Sequence, residues 1–169
     1  MRIFIISILA IFYSVSTSAS EPIAELKLLA PFTGVWKEVQ AQNAKGNPDV
    51  QRWEWAFKSQ VLRIIHGSGS YGGESLIHWD AVREKIIYRY VTNGGFYTDG
   101  VITPAEGGFN SLEKIGGTKS GPSDVKSLYQ ITENGNMQIT ITFKMNGEWA
   151  NSFTSTYMPA PDAKIIYEN

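Results

Sequence analysis

The sequence predicts an all-β protein, an antiparallel up-and-down β-barrel of about ten strands with one short N-terminal helix. Between residues 71 and 103, three runs rich in β-branched and aromatic residues are separated by short turns. Links this short cannot contain the crossover helix that a parallel pair needs, so the runs are predicted to form consecutive antiparallel strands. Similar short runs, again bounded by turn residues, occupy most of the remaining chain. Many short strands at regular spacing are typical of a sandwich or a barrel.

The N-terminal segment has the order of a secretory signal peptide. Arg2 precedes an apolar run, and small residues follow it, with Thr17 and Ala19 at the two positions that precede cleavage. The run is short for an uncleaved anchor, which must cross about 30 Å of hydrocarbon. We therefore expect residues 1–19 to be a signal peptide, with cleavage after Ser20 nearly as favourable. Residues 20–169 would then form a single lipocalin-like β-barrel domain that is periplasmic or secreted.

The next segment predicts the one helix. Ile23, Leu26 and Leu29 lie at helical spacing. Pro22 suits a first helical turn, and Pro31 is expected to end the helix.

Local patterns also predict individual strands. Residues 51–57 alternate strictly, with aromatic side chains on one face and charged side chains on the other. Residues 61–66 are mostly apolar, which predicts a strand covered on both faces. In residues 137–145 apolar and polar residues alternate, and Asn146-Gly147 is the strongest short signal for a hairpin turn. Residues 165–167 could add an edge strand near the C-terminus.

Composition excludes some partners. The 169 residues carry a net charge of -1, which argues against nucleic acid and against an anionic membrane surface as partners. The chain has no cysteine, so it has neither a disulfide nor a lipid attached to cysteine. Burial alone must stabilise an exported domain of this composition.

A short motif resembles the start of the calycin barrels, which include lipocalins, fatty-acid-binding proteins and nitrobindin-like proteins. It consists of Phe32, Gly34 and Trp36, after a short helix and at the head of the first predicted strand. In lipocalins this Gly-x-Trp closes the base of the barrel, with the tryptophan packed under the core. The resemblance therefore implies a buried Trp36.

A longer pattern is similar to an uncharacterised bacterial exported lipocalin-like family. It runs from Trp53-x-Trp55-Ala-Phe57 to Gly95-Phe-Tyr-Thr-x-Gly100 and covers most of the predicted mature chain. It implies a fold and carries no assigned activity. Nitrobindin-like proteins hold haem through a histidine late in the chain, whereas the histidines here are His66 and His78. The resemblance therefore does not imply haem, and no cofactor is expected.

Aromatic residues on the strands are candidates for contact with a ligand, because aromatic faces with a few polar groups are typical of ligand pockets. Arg89 alternates with Tyr88 and Tyr90, so it points outward if the tyrosines point inward. An inward Arg63 would instead receive an acidic headgroup. The same aromatic residues would also serve simply to fill the barrel. The candidate ligand-binding residues are Trp53, Trp55, Arg63, Tyr88, Tyr90, Tyr97, Tyr129 and Trp149.

No catalytic or metal site is predicted. His66 and His78 lie in different predicted strands, and zinc would need further ligands, so hydrogen-bonded or exposed histidines are expected. The chain has no cysteine nucleophile, no Gly-x-Ser-x-Gly and no phosphate-binding loop.

These observations favour an exported soluble barrel that binds a small apolar or amphipathic ligand. Two alternatives stay open: an enzyme that uses the cavity, with Arg63, His66 or His78 as polar groups, and a packed-core barrel with a structural or protein-interaction role. A membrane-spanning barrel is disfavoured because Ile64-Ile65 and Ile86-Ile87 break the alternation that such strands require. The ligand, the oligomeric state and the inward face of each strand are left open at this stage.

Overall fold

A computed structural model of the protein describes residues 20–40 and 46–167. The predicted signal peptide, residues 1–19, lies outside the described residues. A 3₁₀ helix spans Ala24–Phe32, and the strands are β1 (Gly34–Glu38), β2 (Val50–Ala56), β3 (Val61–Ser68), β4 (Tyr71–Asp80), β5 (Lys85–Thr92), β6 (Tyr97–Ala105), β7 (Gly108–Gly116), β8 (Asp124–Ile131), β9 (Met137–Met145), β10 (Glu148–Trp149) and β11 (Phe153–Pro159). Within these ranges no helix is both long and apolar enough to cross a bilayer.

The strands form a closed antiparallel barrel, as predicted. Each strand from β1 to β9 pairs with the next, and β11 pairs with both β9 and β1, which closes a ten-stranded barrel. The two-residue β10 pairs with the end of β9 next to the Asn146-Gly147 turn. Both turn residues have positive φ, at 52° and 87°, as the favoured two-residue hairpin turn requires.

The N-terminal helix covers one end of the barrel, which we call the base. Leu26, Leu29 and Phe32 are fully buried on its inner face. The helix is of the 3₁₀ type and extends one residue beyond Pro31, which was expected to end it. Proline is tolerated there because the last turn is closed by the N–H of Thr33, which donates to the carbonyl oxygen of Ala30 at 3.2 Å.

Trp36 lies at the head of β1 against this helix, as the resemblance implied. Its side chain is 5% exposed, and its Nε1 donates to the carbonyl oxygen of Phe32 at 2.7 Å. The indole therefore joins the helix to the first strand while it satisfies its one polar group.

A one-residue bulge separates β10 from β11. Trp149 is opposite Lys144 and Phe153 is opposite Ile141, so four steps along the returning chain match three steps along β9. Because side chains alternate between faces, one extra residue moves Trp149 to the other face. Its ring lies outside, 4.6 Å from the ammonium of Lys126.

The C-terminal segment crosses the outer surface of β3 and β4. Tyr167 forms a bridge with Gly69, and its hydroxyl donates to the carbonyl oxygen of His66 at 3.1 Å. A side chain at Gly72 would lie 2.5 Å from the Tyr167 ring, so glycine is what permits this approach. The predicted edge strand is thus a single bridge. It also covers part of the outer face of β3.

We expect Trp36→Ala to lower the free energy of unfolding by about 3–5 kcal/mol, because it removes a large buried aromatic side chain. The measurement is equilibrium denaturation with urea. Trp149→Ala is the matched control, because that side chain is 40% exposed and outside the barrel, and we expect it to cost less than about 1 kcal/mol. Similar losses for the two variants would contradict a closing role for Trp36.

Candidate functional site

The half of the barrel away from the base encloses a cavity of about 640 Å³. Its rim includes Tyr71 at the start of β4, Phe96 in the β5–β6 loop, and Thr118 in the β7–β8 loop. These loops lie at the end of the barrel opposite the helix, so the cavity opens there. We call that end the mouth.

An aromatic cluster forms the floor of the cavity. The rings of Phe109 and Tyr129 stack with their centroids 4.6 Å apart, and Phe32 meets Phe109 edge-on at 4.9 Å. Trp53 packs against all three rings. The barrel is therefore filled near the helix and open near the mouth. The aromatic residues thus both fill part of the core and line a cavity.

Glycines on neighbouring strands position two tyrosines of the wall. Tyr88 lies opposite Gly100, and a side-chain carbon at that glycine would come within 2.5 Å of the tyrosine ring. One at Gly73 would come within 2.3 Å of the ring of Tyr90. Each ring therefore occupies the space that a neighbouring side chain would need, and this sets its orientation in the wall.

A chain of hydrogen bonds runs from Asp49 towards the mouth. The Oδ1 of Asp49 lies 2.9 Å from Nδ1 of His66, Nε2 of His66 lies 2.9 Å from the hydroxyl of Tyr90, and that hydroxyl lies 2.9 Å from the hydroxyl of Tyr71. An ionised Asp49 accepts the Nδ1 proton, so in neutral His66 the Nε2 atom accepts from Tyr90. We call these four residues the Asp49 chain.

Further donors surround the carboxylate of Asp49. Gln51 Nε2 donates to Oδ2 at 2.9 Å, and the hydroxyl of Tyr157 donates to the same oxygen at 3.2 Å. Burial alone would raise the pKa of Asp49, but hydrogen bonds and the charge of His66, with the Gln51 and Tyr157 donors, outweigh it and lower the pKa. Asp49 is therefore held ionised inside the barrel.

Glu113 is a second acidic group of the wall, on β7. Thr98 donates to its Oε2 at 2.6 Å, and Ser111 donates to its Oε1 at 3.2 Å. Burial, reinforced by the negative charge of Glu113, raises the pKa of Tyr88 well above that of a free phenol. Burial and Glu113 act on Tyr129 in the same direction. Both tyrosines therefore remain neutral hydroxyl groups at physiological pH.

Half of the predicted ligand-binding residues line the cavity. Trp53, Tyr88, Tyr90 and Tyr129 do so, and ligand binding by them stays a prediction. Trp55 faces the same way as Trp53 but is partly buried against the core and does not line the cavity. Arg89 points outward to Asp99, as its alternation with the two tyrosines predicted.

Arg63 lies on the outer face of the barrel, so the inward position considered for it is wrong. Its guanidinium forms two hydrogen bonds with Glu74, at 2.7 and 2.9 Å, and a longer one with Glu54. Inward positions of β3 belong to its neighbours Leu62 and Ile64. Arg63 therefore cannot hold an acidic headgroup inside the cavity.

Tyr97 and Trp149 also lie outside the cavity. Tyr97 is beneath the guanidinium of Arg89, at 5.0 Å from the ring centroid, and Trp149 lies beneath Lys126. Tyr97 shares its face of β6 with Asp99, a charged residue, which was the available sign of an outward position. The bulge before β11 accounts for the outward direction of Trp149, and no local sequence signal predicted that bulge.

The two histidines lie on opposite faces of the sheet. His66 faces inward and is hydrogen-bonded, whereas His78 is exposed and contacts the carbonyl oxygen of Trp79. Both environments match the hydrogen-bonded or exposed histidines that were expected. They do not converge on one site.

Several polar residues of the site were not predicted from the sequence. They include Asp49, Gln51, Glu113 and Tyr157. Gln51 has the same parity as Trp53 on β2, so strict alternation would have placed it inside. Asp49 precedes its strand, and only the folded barrel brings it to His66.

No family model matches the chain, and a search of curated proteins found no match. The closed ten-stranded antiparallel barrel is compatible with a calycin-like fold.

We expect Asp49→Asn to destabilise the protein at neutral pH by about 1–3 kcal/mol, because it weakens the partly buried hydrogen bonds that the carboxylate accepts. The pKa of Asp49 is lowered in the folded protein, so the stabilisation by its carboxylate is fully present above the ordinary pKa of an aspartate and is lost as the pH falls through the folded-state pKa. The difference in free energy of unfolding between variant and wild type should therefore become smaller in strong acid. Thermal unfolding at several pH values measures it.

Asp99→Asn provides the control for this experiment. Its partner Arg89 is exposed to water, so we expect the surface change to alter stability much less than Asp49→Asn at neutral pH. Equal effects of the two substitutions would show that the Asp49 chain contributes no more than a surface ion pair.

Proposed function

We propose that this protein is an exported, soluble, lipocalin-like barrel that binds a small amphipathic molecule in its cavity. One observation supports this most strongly: the base of the barrel is packed, but the mouth half keeps an open space with an aromatic floor and polar walls. A barrel with only a structural role has no need of that space. Unfilled interior normally costs stability, because its lining loses packing contacts.

The size of the cavity supports the proposal. At about 640 Å³ it lies within the range of roughly 300–1,000 Å³ that small-molecule sites occupy. Ile139, Ile141 and Phe143 supply an apolar strip along β9, whereas Ser75, Thr98 and Ser127 supply hydroxyl groups elsewhere on the wall. A ligand with an apolar body and a polar group would satisfy both surfaces.

The outer surface is consistent with a barrel surrounded by water. Arg63 pairs with Glu74, and Arg89 pairs with Asp99, on outward faces of the strands. Buried apolar side chains face the interior instead. Export itself rests on the sequence of residues 1–19.

An enzyme is the second candidate, and the Asp49 chain favours it. The Asp49 chain connects a partly buried carboxylate through His66 to two phenol groups that line the cavity. Such an arrangement is able to accept or deliver a proton at the Tyr90 or Tyr71 hydroxyl. The test is NMR of bound esters and ketones over time: turnover that His66→Gln abolishes, with binding retained, would support an enzyme.

Ligand binding can be tested with a substitution that fills the cavity. Ser155 faces the cavity, and Thr154 faces outward on the same strand. We expect the neutral dye N-phenyl-1-naphthylamine to bind wild type saturably, with enhanced dye emission and quenching of tryptophan fluorescence. Ser155→Leu should weaken binding about tenfold or more, since it places a bulky side chain in the site.

Thr154→Leu is the matched control, because it adds a similar volume on the outer face. It should leave the affinity within about twofold of wild type, whereas a packed-core barrel would show no saturable binding in any variant. Equal affinity of Ser155→Leu and wild type would place the dye elsewhere and count against the cavity as its site. Circular dichroism confirms that both variants are folded.

A further inference from the structure

We infer that the cavity selects a positively charged ligand, an amine or quaternary ammonium compound with an apolar tail. This inference rests on the proposed function, since it names the class of molecule that the cavity would take. The charge of this ligand is opposite to that of the acidic headgroup that an inward Arg63 would have bound.

The first argument is the sign of the charge on the wall. Among the described residues that line the cavity, Glu38, Asp49 and Glu113 carry carboxylates, and none is lysine or arginine. His66 is the only basic side chain of that described wall, and its Nδ1 is already engaged by Asp49. An anionic ligand would therefore meet carboxylates without a free cation to receive it.

The second argument is the environment of Glu113. Glu113 is 9% exposed, and it accepts hydrogen bonds from the neutral hydroxyls of Thr98 and Ser111. No described lysine, arginine or histidine forms an ion pair with it. Because a buried charge is costly without an opposite charge, a bound cation would complete this site.

The third argument is the aromatic surface next to this charge. Tyr88 and Tyr129 line the same cavity as Glu113, and the negative charge of Glu113 contributes to the raised pKa of both phenols. Aromatic ring faces attract cations, most strongly when water is excluded. A carboxylate beside tyrosines is therefore well suited to an ammonium group.

The arginines on the strands do not offset this charge. Arg63 and Arg89 both lie on the outer surface, where each is held by a carboxylate. Neither lines the cavity. Apart from His66, which Asp49 engages, the described wall offers no basic side chain to the carboxylate of a fatty acid.

The experiment measures displacement of bound N-phenyl-1-naphthylamine by three octyl compounds at pH 7. They are octyltrimethylammonium, octanoate and octyl glucoside, which share a tail and differ in the charge of the headgroup. We expect octyltrimethylammonium to displace the dye at a concentration at least about tenfold below that of octanoate or octyl glucoside. Glu113→Gln should remove most of this preference, whereas Glu113→Asp should keep it.

Glu133→Gln is the matched control, because it makes the same change of charge at an exposed turn near the base. It should leave the preference unchanged. The inference would be overturned if octanoate or octyl glucoside displaced the dye at the same concentration as octyltrimethylammonium. It would also be overturned if the preference for the cation survived in Glu113→Gln. In both cases binding in the cavity would still stand. A dye that fails to bind wild type would instead contradict the proposed function itself. If Glu113→Gln does not fold, the order of the three compounds on wild type decides the inference.

Discussion

The pairing of β11 with β1 closes the sheet into a barrel and thereby creates its interior. It places Trp36 opposite Pro159 and Glu38 opposite Tyr157, and it removes the free edges that an open sheet would expose. Once the sheet is closed, every second residue of each strand faces a common interior. The polar residues at those positions must then find partners inside the barrel, because water reaches them only through the mouth.

Closure and the N-terminal helix divide the interior into two environments. At the base, Phe32 and the leucines of the helix exclude water, and the aromatic rings of Trp53 and Phe109 fill the space. Towards the mouth no helix of the described residues covers the barrel, and polar groups share the wall with apolar ones. The hydrogen bonds of Asp49 and Glu113 offset the cost of burying these charges, but only Asp49 has a basic partner among the described residues.

Alternation predicted which residues of a strand share a face, but it left open which face points inward. Tyr88 and Tyr90 point inward and Arg89 points outward, because consecutive side chains of β5 alternate. Arg63 was harder to place, since its run is apolar on both faces and its partners Glu54 and Glu74 belong to other strands. The outward direction of Trp149 is set by the bulge, which depends on how the returning chain pairs with β9.

Patterns within a few neighbouring residues were enough to predict the antiparallel strands and the short N-terminal helix, and the resemblance of the Gly34-x-Trp36 motif to calycin barrels implied the burial of Trp36. Which polar groups meet inside the barrel depends on the complete tertiary structure. Asp49 and His66 are 17 positions apart, and His66 and Tyr90 are 24 apart. Their contacts depend on the register between strands and on the curvature that closes the barrel. Both are set by all the strand pairings together, and so no local pattern contains them.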